Sequence, residues 1–491
     1  MNSFDRDRAT WSDLLGGRNA VRSIALAGGV ALHAINVYIA TTILPSVVAD
    51  IGGLDYYAWN TTLFVVASIV GSALAARAIE WVGPRAVYMS AGLVFAAGTL
   101  LCATAPAMSS MLAGRLIQGF GGGLLFALSY ALIRLVFAEA LWPRAMALVS
   151  GMWGVATLIG PAVGGIFAQV GAWRYAFWSL LPATGVFIVL ALLVLPKRGD
   201  RSSFDTGVPM KQLALLSAAV LALSISSIRP ALAWNLVGIV TALSLTALFV
   251  VVERKANCRL LPRQAFEPSA PLAALYLSLG LLAVAVTASE IFVPLFLQVL
   301  HGQTPLIAGY LAALMAGGWT VASVASAGAT GRRVRRSIGV SPVLAGIGMV
   351  ALAALVPLRT SGSWTSLAPM GLALFVVGFG VGLAWPHLLT RVLQVAPAQE
   401  QALASSSITT VQLFATASGA ALAGVVANLS GLTEANGSIG TSRAAFWLFA
   451  AFAAAPMMAI VTCARVARDM RRRRPDVASS GIALDVNDRS L

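Results

Sequence analysis

Apolar stretches of about eighteen residues or more recur from one end of this chain to the other, and they leave few folds open. They occupy 22–45, 57–79, 86–106, 109–137, 145–170, 174–195, 211–228, 232–252, 271–298, 306–328, 338–358, 366–390, 402–428 and 443–464. Each can cross a hydrocarbon layer of roughly 30 Å. Inside lipid every backbone N–H and C=O must be paired within the protein, so only helices and closed barrels can span. A barrel needs short segments of alternating polarity, and these runs are continuous. The sequence therefore predicts an all-α polytopic membrane protein with about fourteen transmembrane helices. Composition agrees, since 10% of residues are charged against about 25% in a soluble domain. The weakest pair of spans is 211–252, whose first member is short and carries Ser217, Ser224, Ser226 and Ser227.

A formal net charge of +15 invites a nucleic-acid reading, but the placement of the charges argues against it. With an even number of spans and a cytoplasmic N-terminus, Arg174, Arg229, Arg359 and Arg443 fall outside and Arg115 falls within a span. Every other Lys and Arg is then cytoplasmic, which is the positive-inside rule. Both termini are expected on the cytoplasmic side of a cell inner membrane. The runs Arg332–Arg336 and Arg468–Arg474 are expected to face anionic headgroups of the bilayer. The polar N-terminus precedes an apolar run too long for a signal-peptide core, so the first span is expected to remain. The tail beyond Pro475 is polar.

Several chemistries find no support. Cys102, Cys258 and Cys463 are far apart, with no CxxC spacing. Three histidines and one intramembrane acid cannot build a His-rich metal site. No Gly-Lys dipeptide occurs, so the phosphate loop of an ATP-driven pump is missing. No Ser, His and acid cluster suggests a hydrolase. We expect no enzyme, no catalytic residue, no cofactor and no metal.

An internal repeat organises the chain. GFGGGL (Gly119–Leu124) matches GFGVGL (Gly378–Leu383), and at the same shift GPAVGG (Gly160–Gly165) overlays GAALAG (Gly419–Gly424). ARAIEWVG (Ala76–Gly83) overlays RRVRRSIG (Arg332–Gly339) at nearly that shift. The expected plan is a cytoplasmic segment 1–21, a six-helix half 22–195, a linker with two extra helices 196–270, a second six-helix half 271–468 and a cytoplasmic tail 469–491. Repeated halves around a midplane site are the plan of secondary transporters.

At this point the motifs carry a resemblance. Arg115, Gln118, Gly119 and Gly121 stand as in R-x-x-Q-G-x-G, and Gly160, Pro161, Gly164 and Gly165 as in G-P-x-x-G-G. WRYAFWSLLP (Trp173–Pro182) follows. The chain resembles the major facilitator superfamily, and within it the fourteen-span drug:proton antiporters. The loop ARAIEWVGPR is a degenerate copy of that family's G-x-L-A-D-R-x-G-R-R, with Glu80 for the acid and Gly83 and Arg85 matching. In INVYIATTILP (Ile35–Pro45), Asn36 replaces the family's acid, which puts an acid-based role for the first span in doubt. The resemblance implies a proton-coupled exporter of small amphipathic compounds, usually monomeric. It implies proton coupling at Arg115 and sealing of one side by the bent helix around Pro161. An uptake symporter or a narrow-substrate exporter of the same fold remains open, as does a mere packing role for the glycines.

Charges inside the bilayer cost on the order of 3 kcal/mol each, and the chain keeps few. Glu290 is the one acid within a span; an acid there can alternate between a proton and a cationic substrate, or simply face water at the outer mouth. His33 and Asn36 share a helix face and, with Arg115 and Gln118, complete the candidate coupling set. His33 can equally be a neutral hydrogen-bonded histidine. Arg77, Glu80, Gly83 and Arg85, with Arg333 and Arg336, form a candidate cytoplasmic gate or a topological anchor. Trp153, Phe292, Trp319 and Trp385 are candidate cavity walls for flat or cationic ligands.

Overall fold

The computed structural model describes residues 10–197, 207–434 and 437–472. The outermost parts of both terminal segments and residues 198–206 of the linker, all expected to be non-spanning, lie outside the described residues. Within them fourteen helical stretches are long and apolar enough to cross a membrane, and no strand occurs. We number them α1 (Gly17–Ile51), α2 (Trp59–Val82), α3 (Pro84–Ala103), α4 (Met108–Ala131), α5 (Trp142–Gln169) and α6 (Leu180–Val194). Then follow α7 (Met210–Ser227), α8 (Leu232–Lys255), α9 (Pro271–His301), α10 (Pro305–Ser326), α11 (Arg332–Leu355), α12 (Trp364–Val395) and α13 (Gln401–Leu429). The last, α14, runs through Ser438–Phe452 and Ala454–Arg472. The pair α7 and α8 is fully helical despite its serines, and Ser226 and Ser227 satisfy their hydroxyls on the carbonyls of Leu223 and Ser224.

The repeat is visible as matched backbone contacts. α4 packs on α2 and α3, and α12 packs on α10 and α11 in the same way. Lipid supplies no hydrophobic drive between helices, so close approach through small residues does the work. A Cβ on Gly119 would lie 2.2 Å from the Phe64 carbonyl oxygen, and one on Gly123 2.3 Å from that of Ser68. At the matching places, Gly378 abuts Met315 and Gly382 abuts Trp319, again at the carbonyl. Hydroxyls cross the same seams. Ser72 donates to Gly123 at 3.0 Å, and Ser323 donates to Gly382 at 3.1 Å.

One expected match fails. Arg332–Gly339 opens α11 directly after the loop, whereas Ala76–Gly83 closes α2, so the two are not counterparts. The counterpart of Gly83 is Gly331: both have positive φ and both stand directly before a helix start. Matching by small residues alone ignored the helix boundary. Gly83 itself, at φ 84°, is the whole connection between α2 and α3. A side chain there would be strained.

The inserted pair sits at the side of the bundle. α7 packs on α8, α13 and α2. α8 leaves Leu236, Val240, Leu243, Leu248 and Val251 exposed, the surface a lipid-facing helix presents.

Candidate functional site

Alternating spans give the bundle two faces, the one carrying the chain termini and the one opposite, which we call the far face. The GPAVGG segment meets its neighbours at the far end of α5. Gly160 and Gly164 lie against Tyr38 and Ile39 of α1. Gly165 meets Leu306 at the start of α10, a Cβ there coming 2.6 Å from the Leu306 Cα. Gly309 meets Pro161 and Thr42, and the Tyr310 hydroxyl donates to the Leu158 carbonyl at 3.2 Å. The second half repeats the seam. Gly419 lies against Thr287 of α9, and Gly424 lies against Ala58 at the entry to α2.

Further toward the termini the two halves part. Gly154 and Gly151 continue the stripe of α5 that holds Gly165, Pro161 and Leu158, since residues three and four apart share a helix face. Neither has any atom within 4 Å of an added Cβ, and neither has Gly317 on the facing stripe of α10. The far face is therefore shut, and toward the termini α5 and α10 stand apart. Pro161 marks the place where α5 changes from contact to gap, consistent with the bend a proline imposes.

Glu290 lies just inside the far seal. It lines a cleft shared by both halves, with Tyr38, Thr41 and Thr42 from α1, Pro294 from α9, and Gly309 and Ala316 from α10 among its walls. The cleft has a free volume of about 10 Å³, room for roughly one water molecule. The outer-mouth placement considered from the sequence is therefore corrected. The seal of Gly165, Pro161 and Gly309 lies between Glu290 and the far face, because α1 and α5 close over it. Tyr38, Thr41 and Thr42 were not singled out in the sequence; their only signal was a shared helix face with Pro45.

Arg115 is 1% exposed. Its Nε donates to the Asn60 carbonyl at 3.2 Å and its Nη1 to Gln118 Oε1, and its guanidinium lies 4.2 Å above the Phe64 ring. Gln118 passes the chain on to the Thr99 hydroxyl at 2.8 Å. Arg115 and Gln118 are thus joined directly, while no carboxylate pairs with Arg115 among the described residues. His33 sits in an aromatic box, with ring centroids 5.1 Å from Phe64, 5.3 Å from Phe126 and 6.1 Å from Trp153. Asn36 is fully buried with neither amide atom hydrogen-bonded.

An Arg115→Lys variant separates charge from geometry. Lysine keeps the cation but lacks the planar fork. Leaving Asn60 or Gln118 short of a donor costs about 1–3 kcal/mol. The variant is expected to insert, to lose several degrees in thermal unfolding, and to transport at under about a tenth of the native rate. Native transport by Arg115→Lys would show that only the charge matters.

The candidate gate is not assembled in this state. Arg77 pairs with Glu80 at 3.3 Å, on its own helix end. Arg85 donates from Nε to the Leu195 carbonyl at 2.9 Å and so caps α6. No ion pair or hydrogen bond joins these residues to Arg333 or Arg336 among the described residues. Trp319 and Trp385 form a tilted pair with centroids 4.7 Å apart, with Trp319 one turn from the cleft wall at Ala316. Phe292 departs from expectation. It is fully buried between Tyr57 and Phe296, at 5.1 and 5.9 Å, and packs the far seam rather than walling the cleft. It lies two residues from Glu290, so the two side chains leave α9 in widely different directions.

Known proteins share this arrangement. Residues 26–420 match the family model described as Major Facilitator Superfamily. A probable multidrug-efflux transporter of Mycobacterium tuberculosis (strain ATCC 25618 / H37Rv) is 40% identical over 467 residues, which is 94% of this chain and 97% of that protein. Multidrug transporter protein MdtP of Bacillus subtilis (strain 168) is 26% identical over 397 residues, 78% of this chain and 71% of its own length. Among solved structures, a POT family transporter in complex with a thioalcohol-conjugated peptide gives a TM-score of 0.65 at 13% identity, covering 91% of this chain and 96% of that one. A bacterial homolog of the human lysosomal transporter Spinster, inward-facing and unoccupied, gives 0.63 at 15%, covering 92% and 97%. With a family model spanning most of its spans and a relative this similar over nearly its whole length, the chain belongs to the Major Facilitator Superfamily, a multi-pass membrane transporter of small molecules and not an enzyme.

Proposed function

We propose that this transporter exports small amphipathic compounds, drugs or metabolites, in exchange for protons by alternating access. The observation that carries the reading is Glu290, held in a cleft that both halves line beneath the shut far face. An acid there is reached from whichever face is open, and it can hold a proton or a cationic substrate group but not both. The asymmetry of Lys and Arg supports a cytoplasmic position for the termini, and so for the open side. Cytoplasmic substrate enters between the halves, past Trp153 and the Trp319–Trp385 pair, and displaces the proton at Glu290. The names of the relatives, probable multidrug-efflux transporter and multidrug transporter, agree with this direction.

Arg115, with Gln118, His33 and Asn36, lies on the first-half side of the same path and adjusts the charge balance as Glu290 changes state. Arg77, Glu80, Gly83, Arg85, Arg333 and Arg336 come together at the termini face in the opposite state of the cycle.

The test uses everted membrane vesicles loaded with a pH-sensitive dye. Energised vesicles are given a panel of lipophilic cations and neutral metabolites. Dequenching by a member of the panel supports proton-coupled export. Counterflow with substrate entering from the far face, and none from the termini face, would point instead to uptake.

A further inference from the structure

The two seams of the far face are built alike but are not equally held. At the first, Gly165 and Pro161 meet Leu306 and Gly309, with Thr42 of α1, a helix of the same half as α5, beside Gly309; neither inserted helix takes part. At the second, a Cβ on Gly424 would come 2.9 Å from the Ala58 Cβ and 3.5 Å from the hydroxyl of Ser227, the last residue of α7. Asn428 of α13, 3% exposed, uses both amide hydrogens here. One goes to the Asp55 carbonyl at 3.0 Å, in the first half, and one to the Ser227 carbonyl at 2.9 Å. From the other side Trp59, first residue of α2, donates its indole N–H to the Ser224 carbonyl at 3.0 Å.

A helix leaves its last carbonyls without partners inside the helix. The last turn of α7 offers those carbonyls to both halves at once. We propose that the inserted helix α7 is a latch on the far-face gate, engaged when that face is shut and released when it opens. Opening must move α13 away from the entry to α2. Asn428 then loses either Asp55 or Ser227, and the three-way junction cannot survive the movement whole. The pair α7–α8 thereby sets how often the far face opens. The proposal concerns the conformational balance and stands whichever way substrate moves.

Asn428→Asp keeps the size of the side chain but turns a carboxylate oxygen toward two carbonyl oxygens. Asn428→Ala removes the donors alone. Trp59→Phe removes only the indole N–H and leaves a ring in place. The readout is a cysteine at Thr42, 2% exposed beneath the seal, labelled from the far face by a membrane-impermeant maleimide. The background is Cys258→Ser, the remaining native cysteines being buried. A Ser68→Cys reporter, inside the first half and away from the seal, is labelled in parallel.

Thr42→Cys labelling should rise about tenfold in Asn428→Asp, severalfold in Asn428→Ala and about threefold in Trp59→Phe. Ser68→Cys labelling should not change. Labelling at Thr42→Cys within twofold of the parent in Trp59→Phe and in whichever Asn428 variants insert would overturn the latch. So would an equal rise at both reporters, which would mean general loosening of the bundle.

Discussion

Glu290→Gln is expected to abolish proton-driven transport while leaving the protein folded and inserted. Glutamine has nearly the same shape and hydrogen-bonding reach, and its cleft walls, Tyr38, Thr41, Thr42 and Gly309, are untouched. What it lacks is a proton to give. Losing a group that must transfer a proton typically costs a factor on the order of 100 or more. In energised vesicles the substrate-induced pH signal should fall to background. Downhill movement of substrate, with no proton gradient, should persist at a reduced rate, because alternating access does not itself need the carboxyl. Glu290→Asp should restore part of the coupled rate. Coupled transport by Glu290→Gln within about twofold of native would remove Glu290 from the mechanism.

The second large effect concerns the seal. In Gly165→Leu the new side chain begins 2.6 Å from the Leu306 Cα, a contact that backbone on both sides prevents from relaxing. Overpacking of this kind costs about 1–3 kcal/mol or more, charged only against the state in which the far face is shut. The balance between states should then move by roughly tenfold to a hundredfold toward the far-face-open form. Transport should drop at least about tenfold, since a transporter that cannot shut one side cannot cycle. Gly151→Leu, on the same stripe of α5 but with nothing within 4 Å, should transport within about twofold of native. If both variants transport normally, the far ends of α5 and α10 do not form the gate.

Most of the fold could be read from the chain, because lipid imposes one rule on every spanning segment and apolar length reports it directly. Even the serine-marked α7 formed where expected. The repeat was legible in GFGGGL and GPAVGG, where close backbone approach demands small residues on both copies. It was misread at Arg332–Gly339, where the similarity was of composition and not of contact. The site was legible residue by residue where a buried charge stood out, as with Arg115 and Glu290. It was illegible where the partner was an ordinary residue. Thr41, Thr42, Phe126 and Asn428 carry no signal that separates them from packing, because their role depends on what the other half brings near. Phe292 was drawn in by its closeness in sequence to Glu290, yet two residues along a helix turn a side chain well away.

The placement of Arg115 and Glu290 bears on how the chain is made. At the repeat positions of Arg115 and Gln118 the second half carries Leu374 and Val377, and opposite Glu290 the first half carries Thr41, at the register that pairs Pro45 with Pro294. The first half satisfies its cation from within, through Asn60, Phe64 and Gln118. Its cation therefore needs nothing from the second half to be paired. The second half has no such independence, since part of the shelter of its acid is α1. The half made last hides its charge against the half made first.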